Sequence, residues 1–163
     1  MLRIYRFATL LLGALGLALG AAHVLELVPK MRYDAEMYMA VTSTLYQFFG
    51  LAGALIQLGA ILMAIVLTLL VRHRPAFRLT LFGTLGLVLS LVLWAVLVAP
   101  VNAEWLEVMK SAPNSAPEAY LRLRPRWEYG HVAAFVAWLI GFGLLLLSVL
   151  AETPSERGRN HAT

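Results

Sequence analysis

Long apolar stretches alternate with short polar ones along the chain, at about residues 4–28, 41–71, 79–98 and 129–150. Each can supply the roughly 20 residues that a helix needs to cross a hydrocarbon core. Lipid offers backbone groups no partner outside the helix, so such stretches are expected to be helical throughout. The pattern predicts an all-α fold, an integral membrane antiparallel four-helix bundle with a long, partly helical outer loop between the third and fourth helices. It forms one domain over 1–152, followed by a polar C-terminal tail at 153–163.

Small and polar residues recur at helical spacing within these stretches. Gly13, Gly16, Gly20, His23 and Glu26 follow one another at intervals of three or four, as do Ser43, Tyr46, Gly50, Gly53, Gln57, Ala60 and Ala64. The fourth stretch gives Glu128, His131, Phe135, Trp138, Gly141 and Ser148, and the third Gly83, Ser90, Trp94, Val98 and Asn102, with Pro100 ending or kinking it. Small residues let helix backbones approach, so these faces are expected to look inward. In the long connection, 102–110 reads as amphipathic helix, 111–117 as a turn-rich break and 118–123 as a second short helix, together a cap over one end.

Composition supports this architecture and removes several functions. Of 163 residues 61% are hydrophobic and 13% charged, with a mean hydropathy of +0.77, outside the range of soluble domains. The lack of cysteine excludes disulfides, thiolate ligands and thiol-dependent reduction. The net charge of +4 does not point to nucleic acid, because the basic residues sit at the ends of the apolar stretches and form no stripe. Arg3, Arg6, Arg72, Arg74, Arg78, Arg157 and Arg159 predict a bacterial-type inner membrane location with both termini cytoplasmic. Lys30, Arg32, Lys110, Arg122, Arg124 and Arg126 weaken that bias, although seven of the nine acidic residues share their side. Arg3 and Arg6 before an apolar run with small residues at 18–22 also fit a signal peptide, but the run continues to Val28, which favours a retained helix.

The candidate chemistry lies in two mirror-image patterns, His23-Val24-Leu25-Glu26 and Glu128-Tyr129-Gly130-His131. Each places an imidazole and a carboxylate one helical turn apart, and ionisable groups are costly within a bilayer. His23, Glu26, Glu128 and His131 are the candidate ligands of a transition metal (iron, copper or zinc), with Asn102, Glu104 or Tyr46 in support. A haem b between the two histidines is a further alternative, which leaves the glutamates unexplained. A third reading needs no cofactor: a histidine acts as general base, its glutamate orients it, and Tyr46 or an arginine steadies the anion. The bland reading is a pair of hydrogen-bonded clamps at the helix ends. Met31, Met37, Met39 and Met109 are read as adaptable packing rather than a Cu(I) site.

Two segments carry a resemblance: Ala99-Pro100-Val101-Asn102 followed by Trp105, and Arg124-Pro125-Arg126-Trp127-Glu128-Tyr129-Gly130-His131. With the histidine near the end of the first helix, they resemble the anthrone-oxygenase-like family of small four-helix membrane proteins, from the first helix to about Leu150. The resemblance implies a four-helix membrane bundle, some of whose members oxidise polycyclic aromatic anthrones to quinones with molecular oxygen. It marks Asn102, Arg126, Trp127 and His131 as family-like positions. The expected function is therefore a membrane oxidoreductase, an oxygenase of a small apolar or aromatic substrate, with His131, His23, Tyr46, Asn102 and Arg126 as its catalytic set. The alternative is a non-catalytic protein that binds lipid or a small molecule or serves as an accessory subunit, and the glycine faces leave homo-oligomers open.

Overall fold

A computed structural model describes residues 1–153. The tail beyond Thr153, with Arg157, Arg159 and His161, lies outside the described residues. The described chain is all helical: α1 (Leu2–Lys30), α2 (Ala35–Thr44), α3 (Gln47–Leu70), α4 (Phe77–Leu97), α5 (Ala99–Ser111), a 3₁₀ turn (Pro113–Ser115) and α6 (Ala116–Leu150). Four helical segments are long and apolar enough to cross a membrane. Their outer faces expose large apolar side chains such as Leu25, Phe48, Leu51, Leu62, Leu69, Phe82 and Ile140.

Two boundaries differ from the sequence expectation. The second apolar stretch does not form one helix from 41, but breaks at Leu45–Tyr46 between α2 and α3. Asp34 starts α2 by accepting the Met37 N–H at 2.8 Å. Thr42 and Thr44 then turn their hydroxyls onto the carbonyls of Tyr38 and Ala40, local bonds that compete with helix propagation.

The fourth helix begins at Ala116 rather than at 129, and absorbs the segment expected as a separate short helix. Pro117 sits in its first turn, where a missing N–H costs nothing. Pro125 lies inside the helix, yet Tyr120, Leu123 and Trp127 on either side are buried in a core shared with Tyr38, Val101 and Trp105. Packing keeps the helix continuous past a residue that propensity alone reads as a stop.

Backbone approach fixes the pairing of the long helices. α4 packs chiefly on α6, and α1 on α3 and α6. A Cβ built on Gly86 would lie 2.6 Å from Gly141 Cα, and one on Gly83 2.9 Å from the Gly141 carbonyl oxygen, so α4 and α6 touch main chain to main chain. On α1, Gly13, Gly16 and Gly20 seat the rings of Phe142, Trp138 and Phe135. Trp138 Nε1 donates to the Gly13 carbonyl at 2.9 Å.

Buried threonine and serine hydroxyls between the long helices are likewise partnered: Thr68 and Thr84 meet at 2.8 Å, and Ser90 donates to the Ala134 carbonyl at 2.7 Å. At the end of the molecule carrying the N-terminus, Arg6 donates to Glu152, and Arg74 stands 3.5 Å from the same carboxylate.

Candidate functional site

Toward the opposite end the helices part around a cavity of about 630 Å³. Its walls come from α1, α3, α4 and α6, with α2 and α5 closing over the top. His23, Tyr46, Asn102 and His131, four of the five expected catalytic residues, line this one space. The three-and-four spacing of the second stretch is reproduced as well: Ser43, Tyr46, Gly50, Gly53 and Gln57 all face the cavity.

The reactive group is an imidazole pair. The rings of His23 and His131 stack with centroids 4.0 Å apart, and His23 also stacks with Tyr46 at 5.0 Å. His131 Nδ1 lies 2.9 Å from the Trp127 carbonyl oxygen, one turn earlier on α6. A carbonyl only accepts, so this bond assigns the proton to Nδ1 and leaves Nε2 as the basic nitrogen. Trp127 stands edge-on to His23 at 5.3 Å, and its Nε1 donates to Asn102 Oδ1 at 2.8 Å. Asn102 thereby fixes an aromatic wall of the cavity. Trp105 and Tyr120, stacked at 4.2 Å, form part of its cap.

The glutamates turn elsewhere. Glu128, 1% exposed, places Oε2 2.9 Å from the Lys30 ammonium and accepts the Tyr38 hydroxyl on Oε1 at 3.1 Å. Glu26 is 3.8 Å from the same ammonium. Burial first, and then the Glu128 carboxylate, push the Tyr38 hydroxyl above its usual range, which keeps it a donor. Lys30 is itself 2% exposed, and its ammonium lies 4.8 Å from the Tyr46 ring centre and 5.0 Å from that of Trp127. Arg124 closes the arrangement by donating to the Lys30 and Tyr33 carbonyls at 3.2 and 2.8 Å.

The expected ligand set is therefore divided. His23 and His131 present stacked faces on the cavity wall, while Glu26 and Glu128 surround Lys30 behind it. Among the described residues no three His, Asp or Glu side chains are gathered as a metal would require. As arranged, the imidazoles and the carboxylates do not share one donor cluster, and the two imidazole rings stack on each other. Arg126 is also set apart: it is exposed, donates to the Val96 carbonyl at 3.1 Å and does not line the cavity.

Lys30, Tyr38 and Arg124 are the site-supporting residues that the sequence patterns missed. One signal was available, the Glu26-to-Lys30 spacing of one helical turn beside Pro29. No protein-family model, no curated protein and no solved structure matches the chain.

Proposed function

We propose that the chain is an integral membrane protein, an antiparallel four-helix bundle with both termini cytoplasmic, that acts as an oxygenase or related oxidoreductase on a small apolar or aromatic substrate taken from the bilayer. The observation that carries this reading is a basic imidazole nitrogen, His131 Nε2, on a residue that lines an otherwise largely apolar and aromatic cavity. Water-poor surroundings of this kind keep a positioned imidazole neutral, with a lone pair free to accept a proton, and shield an anionic intermediate from water. The sheath of exposed leucine, valine and phenylalanine gives such a substrate a route from lipid.

In this reading His131 removes an activated proton from the bound ring system and His23 holds the imidazole by stacking. The Tyr46 hydroxyl donates to the oxygen on which charge collects. Lys30, behind the Tyr46 and Trp127 rings, adds a fixed positive charge that favours the anion. An electron-rich carbanion or phenolate of this type reacts with molecular oxygen without a resident cofactor. Glu128 takes no part in the proton transfer, since Lys30 and Tyr38 occupy it.

A second reading, a binding or accessory protein, draws on the Lys30–Glu128–Tyr38 cluster, which ties α1, α2 and α6 together as a clamp would. Oxygen uptake with an anthrone-type ketone in lipid nanodiscs separates the two. The oxygenase reading expects saturable uptake, reduced by about 10²–10⁴-fold in His131→Ala with helix content unchanged. Saturable ketone binding without uptake would assign the carrier role instead. Stoichiometric metal that disappears in the His23→Ala/His131→Ala variant would move the chemistry to a metal centre.

A further inference from the structure

We infer that the cavity is built for an elongated amphiphile, a phenol or hydroquinone with a long apolar tail, whose hydroxyl meets His23 and Tyr46 and whose tail runs along α3. The inference rests on the proposed reading only in taking this cavity as the ligand site.

Two buried polar atoms of cavity-lining residues lack a partner among the described residues: His23 Nδ1, on a residue 8% exposed, and the Tyr46 hydroxyl, on a residue 7% exposed. Native interiors rarely leave such groups unsatisfied, because desolvation without a replacement bond is costly. Their rings are stacked at 5.0 Å, and both residues line the cavity. A hydroxyl both donates and accepts, so a single ligand hydroxyl can serve the pair in either tautomer of His23. Among the described residues neither lysine nor arginine lines the cavity, which disfavours a carboxylate or phosphate head. Trp127, Trp105 and Tyr120 around the head region suit a planar ring.

The rest of the space extends along α3. Its lining follows α3 from Gln47 to Leu58, about 16 Å at the helical rise per residue, so this lower slot continues well beyond the length of one ring. Gly50, which is exposed, and Gly53 line it there. A Cβ on Gly50 would meet nothing within 4 Å, and one on Gly53 only the end of Leu19 at 4.0 Å. These two glycines therefore differ from Gly16, Gly86 and Gly141, where a Cβ would collide with a neighbour. Close helix packing explains the second group, whereas Gly50 is exposed and Gly53 half-buried. Below the head region Ser90 and Trp138 are already committed to carbonyls, leaving Gln57 as the remaining amide in a wall otherwise suited to hydrocarbon. A compact polycycle would fill the head region and leave this lower slot empty.

The test uses the full chain in lipid nanodiscs and three probes: 4-dodecylphenol, its methyl ether and 4-methylphenol. All four tryptophans line the cavity, so quenching of their fluorescence reports occupancy. The dodecylphenol should saturate the protein, with the ether about tenfold weaker. Tyr46→Phe combined with His23→Leu should bring that ratio to about one. Gly53→Leu, which fills open space and should fold, should weaken dodecylphenol about tenfold more than 4-methylphenol. A dodecylphenol analogue with a diazirine at the tail end should cross-link to cavity-lining Gly53 and Gln57 of α3.

Equal affinity for phenol and ether, an unchanged ranking in Gly53→Leu, or cross-links confined to outward-facing Phe48 and Leu51 would each overturn the inference. If this pattern holds while oxygen uptake is absent, the oxygenase reading falls and the ligand class stands. If a tail-less aromatic is turned over and dodecylphenol shows no selective binding, the reverse is true.

Discussion

Lys30 sits at the end of a helix, where a basic residue ordinarily snorkels to water or lipid headgroups, yet it is buried against Glu128. Removing one member of a buried pair strands the other, which costs more than the pair itself contributes. Lys30→Met should therefore destabilise the fold by about 3–5 kcal/mol, and Lys30→Met/Glu128→Leu should recover most of the loss. Denaturant titration of the four members of this cycle in detergent checks it, and equal losses in the single and double variants would contradict it.

The convergence of His23, Tyr46, Asn102 and His131 was legible in the sequence, because helical spacing fixes which residues share a face. The partners of the glutamates were not. Lys30 reaches Glu128 only because Arg124 holds the α1–α2 turn back over α6, a tertiary contact that no local pattern encodes. For the same reason Arg126, next but one in sequence to Arg124, ends on the far side of the helix with the Val96 carbonyl.

At the scale of the helices, glycine has two uses that substitution separates. Gly86→Ala places a methyl against the α6 backbone and should cost about 1–3 kcal/mol, since main chain cannot rotate aside. Gly50→Ala adds a methyl to open space and should be neutral or stabilising by up to about 1 kcal/mol through helix propensity. Thermal midpoints of the two variants in detergent compare them directly, and equal loss in both would refute the distinction.

Apolar runs located the four long helices well, because spanning length and hydropathy are properties of local sequence. The breaks were less legible. The α2–α3 break depends on hydroxyls that bond within the preceding turn, and the continuity of α6 through Pro125 depends on burial of Tyr120, Leu123 and Trp127. Both are decided by competition between local bonding and packing, and apolar content does not register that competition.

Across the whole molecule, the two ends are specialised differently. The end opposite the cavity is closed by Glu152 with Arg6 and Arg74. Burial raises the Glu152 pKa, but the Arg6 hydrogen bond and charge, the Ala76 N–H and Arg74 outweigh it and hold the carboxyl below its ordinary value of 4.5. A depressed folded value means that the latch contributes fully above the unfolded value and is lost as pH falls through the folded one. The thermal midpoint of the parent should exceed that of Glu152→Gln at neutral pH, and the gap should close as pH falls from about 5 to about 3. A gap that persists at pH 3 would show that the carboxylate charge is not what holds this end.

The cavity end carries the chemistry, and everything proposed for it depends on the nitrogen that His131 offers. Nitrogen-15 NMR of histidine-labelled protein in nanodiscs, assigned with His23→Gln and His131→Gln, reads that nitrogen directly. The account predicts that His131 is protonated on Nδ1 and bare on Nε2, as its bond to the Trp127 carbonyl requires, and that dodecylphenol shifts the His23 signals. A His131 protonated on Nε2, or metal-shifted signals from both rings, would contradict a free base at the head of the cavity.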